Sequence, residues 1–133
     1  MARTGRSAGS SSGVLDELTE LRIVLVHGGG YLPYQIGRLD HGYRVRPEAH
    51  GSAHLPSAYL DRFWFDTVTH APAPLCFLTG LVGADHVVYG TDFPFDMAAG
   101  PLADQTAGAG LSDADLELIA GRNAVALFGL TPG

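Results

Sequence analysis

Apolar residues at Val14, Leu15, Leu18 and Leu21 recur at helical spacing, with Asp16, Glu17 and Glu20 left to face water. This pattern predicts a short helix, or the end of a longer one. The unbroken run Ile23-Val24-Leu25-Val26 follows and stops at His27-Gly28-Gly29-Gly30. Mostly β-branched and lacking polar alternation, it predicts a parallel strand covered on both faces. Residues 63–69 predict a second strand ending at His70, and residues 87–91 a third ending at Asp92. Between these two, Pro72 and Pro74 suit a first helical turn, Leu75, Leu78 and Val82 keep one face apolar, and Gly83 is placed to terminate. Beyond the third strand, Ser112 and Asp115 have the spacing of an N-cap and its N3 partner, with Leu116 and Ile119 as the buried face and Gly121 as terminator. Residues 123–128 predict one more short helix before Gly129.

The order helix, strand, long loop, strand, helix, strand, long loop, helix belongs to an α/β protein with a parallel sheet. The two long connections, residues 28–57 and 93–111, both leave the C-terminal end of a strand, where α/β proteins carry their chemistry. With 46% hydrophobic and 17% charged residues, a packed domain is expected and a disordered segment excluded. The formal charge of −6 argues against a nucleic-acid partner, which needs clustered positive charge. No stretch approaches a membrane span or a signal peptide. The single cysteine, Cys76, lies in an apolar run that suits a buried thiol, and a reducing, cytoplasmic setting is expected. Residues 1–13, rich in Ser, Gly and Ala toward their end, are expected to form a flexible tail, and residues 14–133 the domain.

In a parallel sheet the strand ends gather at one edge, so His27, His70 and Asp92 are expected to converge from distant positions. Two imidazoles and a carboxylate suit a divalent metal; for scattered residues of these types capping or ordinary polar contacts are the commoner roles, and placement at strand ends strengthens the metal reading. Three glycines after His27 fit a sharp turn or a close backbone approach. Pro94 stiffens the turn after Asp92, where Phe93 can pack. Arg38, Arg44 and Arg46, with His41 among them, concentrate basic charge in a predicted loop. A guanidinium there could grip a carboxylate bidentately, or simply be solvated. Asp40, Asp66 and Asp96 are polar candidates near the rim, with hydrogen bonding as the simpler role, and Tyr31, Tyr34, Trp64 and Phe95 could line a pocket or pack a core.

Taken together, His27-Gly28-Gly29-Gly30, Gly37-Arg38, His41-Gly42, Arg46-Pro47, Asp66 through His70, Gly90-Thr91-Asp92-Phe93-Pro94-Phe95 and the closing residues 123–130 resemble the aminocarboxymuconate-semialdehyde decarboxylase branch of the amidohydrolase-related superfamily. The resemblance implies the last three strands, with their helices, of a TIM (β/α)8 barrel. It implies Asp92 as a metal ligand, His27 as the acid/base beside a metal-bound water, and Arg38 as a contact to the substrate carboxylate. His70 ends the seventh strand without an assigned role. The implied cofactor is a divalent metal, zinc first, and the implied reaction is non-oxidative decarboxylation of an unsaturated or aromatic carboxylic acid. Hydrolysis by a superfamily relative's chemistry, or a non-catalytic binding domain, is the alternative. The implied partners are a small carboxylate substrate and, through Arg38, a homodimer. The family's first-strand His-x-His and fifth-strand histidine have no counterpart, and about 250 residues make a barrel. The expectation is therefore the C-terminal part of an enzyme from a truncated or mis-started gene, with most of the metal site missing.

Overall fold

The computed structural model describes residues 13–131. The expected flexible tail therefore lies, up to residue 12, outside the described residues. Three parallel strands form one sheet in the order β1 (Ile23–Leu25), β2 (Phe63–Asp66), β3 (Val87–Val88). Leu25 pairs in register with Phe65, and Phe65 with Val87. These in-register side chains share one face. There Phe65 and Val87 join Leu75, Leu78, Ala109 and Ile119 in the buried core, with Leu25, Leu60, Phe63 and Val82 packed around them. On the opposite face Trp64 stacks on His86, ring centroids 4.7 Å apart, and Arg22 lies over its ring.

The helices are α1 (Val14–Glu17), α2 (Ile36–Val45), α3 (Pro72–Val82), α4 (Leu102–Thr106), α5 (Asp113–Glu117) and α6 (Asn123–Phe128). Helix α3 presents Leu75 and Leu78 to the core and ends at Gly83, whose φ is +87°. Cys76 is exposed, contrary to expectation, because a helix turns about 100° per residue and the position after an inward leucine rotates out of the core. Ser112 and Asp115 form a reciprocal capping box at the start of α5. Gly121 does not end that helix: a π-type turn over Leu118–Arg122 carries it into α6, and the stop comes at Gly129 in the left-handed conformation. Buried Asn123 anchors the helix by donating to the carbonyls of Ala84 and Val87, each at 2.7 Å.

Two expectations about length fail for one reason. Strands β2 and β3 stop before residues 69 and 91 because side chains take over the backbone groups beyond them. Asp66 accepts from the Val68 amide at 3.0 Å, Gly90 donates to Thr67 Oγ1 at 3.2 Å, and Gln105 Nε2 donates to the Gly90 carbonyl at 2.9 Å. The Tyr89 amide turns to the Ile119 carbonyl at 3.0 Å. The expected loop carrying Arg38, His41 and Arg44 is instead the ten-residue helix α2. Its inward positions Ile36, Leu39 and Tyr43 keep helical spacing, but the fourth is Asp40, buried and accepting from the Ser57 amide at 2.9 Å.

Leu78 is fully buried in the core. Leu78→Ala is expected to lower unfolding free energy by about 3 kcal/mol, read from the urea midpoint at unchanged m-value. Hydrogen bonds from the Ser112 backbone amide and hydroxyl hold the Asp115 carboxyl below its ordinary pKa. A depressed carboxyl contributes stability above the unfolded-state value of about 3.9, lost as pH falls through the folded value. Asp115→Asn should therefore flatten the acid limb of the stability profile below about pH 4, measured by denaturant titration across pH.

Candidate functional site

The three strand-end residues share an uncommon backbone state. His27, His70 and Asp92, at φ of 57°, 55° and 58°, are the non-glycine residues with positive φ among those described. Holding a non-glycine side chain in a sparsely populated region costs of the order of 1–3 kcal/mol, and such residues cluster where side chains must be aimed. Each strand thus leaves the sheet through a left-handed residue.

The glycines after His27 make its turn possible. Gly28 and Gly29 have φ of 60° and 81°. A Cβ on Gly28 would lie 2.8 Å from Thr69 Cγ2, and one on Gly29 only 2.5 Å from Phe65 Cδ1. The turn therefore sits directly on the core. Its amide at Gly28 donates to Asp66 Oδ1 at 2.9 Å.

His27 Nε2 lies 3.6 Å from Asp92 Oδ1, the imidazole 58% and the carboxylate 25% exposed. The separation is electrostatic contact but longer than a hydrogen bond, so neither group satisfies the other. An accessible imidazole beside an accessible carboxylate can exchange a proton with a bound molecule and present oxygen to a hard cation. Around His27 a cleft of about 310 Å³ is lined by Tyr34, Val68, Thr69 and Pro74. Tyr34 stacks on Phe77, centroids 5.4 Å apart. Burial, and then the negative charge of Asp66, push its phenol pKa up, so it stays a neutral hydrogen-bonding group.

The expected convergence of three strand-end groups is met by two. His70 lines a separate cleft of about 210 Å³ with Asp104 and Gln105. Arg38 faces a third, of about 510 Å³, beside His41 and Arg46. Among the described residues no group of three His, Cys, Asp or Glu side chains is arranged to hold a metal ion. Asp92 and His27 suit part of a divalent-metal site and do not complete one. Phe93 does not pack as expected and is 82% exposed; Phe95 and Met97 also face outward. No described helix is long and apolar enough to cross a membrane. The sequence marks Asp66 as an ordinary polar candidate; the signal available is an acid directly after the apolar run Phe63-Trp64-Phe65, where it closes β2.

The chain as a whole is similar to known proteins. The amidohydrolase family matches residues 10–130. A 2-amino-3-carboxymuconate-6-semialdehyde decarboxylase of Dictyostelium discoideum is 34% identical over 125 residues, covering 90% of this chain and 34% of that protein. One from Caenorhabditis elegans is 39% identical over 80 residues, covering 59% of this chain and 20% of that protein. A crystal structure of a Polaromonas dihydroxybenzoic acid decarboxylase, with bound manganese and the inhibitor 2-nitroresorcinol, superposes with a TM-score of 0.78 at 27% identity. It covers 92% of this chain and 38% of that one. The chain thus spans about a third of the length of the Dictyostelium relative.

The left-handed conformation of His70 costs stability without a hydrogen bond or ion pair among the described residues to offset it. His70→Gly is expected to raise unfolding free energy by about 0.5–1 kcal/mol, read by urea denaturation. A lower stability would show that the imidazole is held by contacts stronger than the strain.

Proposed function

The chain belongs to the amidohydrolase family, and on that premise we propose that it is the C-terminal part of a metal-dependent, non-oxidative decarboxylase acting on an unsaturated or aromatic carboxylic acid. The observation that carries the proposal is the 3.6 Å approach of His27 and Asp92 from the ends of β1 and β3, each aimed by a left-handed backbone. The identity to decarboxylases in two organisms supports the reaction class. The three parallel strands would be the last three of a (β/α)8 barrel, the site lying on the rim where they end.

In this reading Asp92 supplies a carboxylate oxygen to a divalent metal, and the remaining ligands come from outside the described residues. The metal, when bound, lowers the pKa of a coordinated water and screens the substrate's negative charge. Manganese takes precedence over zinc, because the Polaromonas decarboxylase holds manganese. His27 delivers or accepts the proton that accompanies loss of CO2, its exposed imidazole being free of any hydrogen bond to Asp92. Arg38 would pair with the substrate carboxylate. It lines a cleft distinct from that of His27, so its reach would be into the site of a second copy, which makes a homodimer part of the proposal. A cytoplasmic setting belongs to it too, on the single cysteine.

The test places residues 14–131 in the corresponding third of the Dictyostelium decarboxylase and follows CO2 release with manganese present. Turnover is expected, falling by about 10²–10⁴-fold in the His27→Ala form of the chimera. Asp92→Asn should abolish both manganese binding and turnover. A folded chimera that binds manganese and hydrolyses esters or lactones without releasing CO2 would replace the decarboxylase reading by a hydrolase. One that binds substrate without turning it over would leave a binding domain.

A further inference from the structure

We propose that Asp66 is the positioning residue of this rim, clasping the exits of all three strands so that His27 and Asp92 are held toward one another. Asp66 is the last residue of β2 and only 7% exposed. A carboxylate so buried requires compensation. It is met by backbone amides: Oδ1 accepts from Gly28, immediately after His27, at 2.9 Å and from Val68 at 3.0 Å. Toward β3, Asp66 is in register with Val88, and a Cβ on Gly90 would come within 2.9 Å of the Asp66 Cβ. The bare backbone at Gly90 lets the strand exit close on Asp66, and Asp92 follows two residues later.

One side chain therefore hydrogen-bonds the residue after His27 and its own strand's exit, and leaves beside it room only for bare backbone two residues before Asp92. Pairing of the sheet ends at this point: the carboxylate takes the Gly28 and Val68 amides that further ladder hydrogen bonds would use, while Thr67 and Gln105 take the backbone of Gly90. That exchange frees the chain after each strand to enter the left-handed turn. A longer ladder would continue all three strands in extended form, with successive side chains alternating across the sheet. The inference rests on reading His27 and Asp92 as the working pair, but its readout is conformational, so either can fail without the other.

The experiment uses nuclear magnetic resonance on the full 133-residue chain. In the native protein, the Gly28 and Val68 amides should be protected from solvent exchange and shifted downfield by their carboxylate acceptor. The His27 backbone coupling and Cα shift should report its positive φ. Asp66→Asn keeps an acceptor oxygen and should retain the His27 signature. Asp66→Leu keeps the branched four-atom skeleton without the acceptor; it should speed Gly28 amide exchange by about tenfold or more and move His27 and Asp92 out of the left-handed state while the shifts of Leu75 and Val87 persist. A merely structural residue would lower stability in both variants and leave the backbone of His27 unchanged. That result overturns the proposal, as does equal behaviour of the two variants. If Asp66→Leu does not fold, native exchange decides: freely exchanging Gly28 and Val68 amides overturn the proposal, and protected ones with a preserved Asp66→Asn signature uphold it.

Discussion

Burial of the Phe65 ring is the constraint on which the other features rest. The ring is fully buried, and its strand neighbours Leu25 and Val87 lie in register on the same face. Fully burying such a side chain contributes about 1.5–3 kcal/mol. The same ring limits how the chain leaves β1, because it fills the space that any side chain at Gly29 would need. Core packing and the turn that aims His27 are therefore one contact seen from two sides. The three left-handed residues each draw on stability that only this packing and its neighbours can supply.

Much of this arrangement was legible in the sequence, and each failure has its own physical cause. The apolar runs located all three strands, and Pro72 with Leu75, Leu78 and Gly83 located α3, because both depend on local periodicity and composition. Helix α2 was hidden because Asp40 occupies a position on its inward face and is satisfied by the distant amide of Ser57. Gly121 misled because a glycine is a stop only where the backbone turns left-handed, and here that happens at Gly129. Strand lengths were overestimated because Asp66, Thr67 and Gln105 take up backbone groups that a ladder would otherwise use.

The candidate site divides along the same line. Position at a strand end brings His27 and Asp92 together, since a parallel sheet aligns its C-terminal edges. It does not bring in His70, because the side chain's direction depends on the turn after the strand, and that turn opens onto the cleft beside α4. Arg38 sits on a helix whose basic residues 38, 41 and 44 recur every three positions and form an exposed stripe in an acidic chain. Such a stripe can attract an anionic molecule over several ångströms before any specific contact is made.

The separation of His27 from Asp92 along the chain has a kinetic meaning. One long crossover joins β1 to β2, and a second joins β2 to β3, as parallel pairing requires. Contacts of high sequence separation form slowly, because loop closure must precede any reward from pairing. Neither residue can meet the other until both crossovers have closed. The pair is thus among the last contacts to assemble, and a small molecule bound against both would select chains that have completed the sheet from those that have only collapsed.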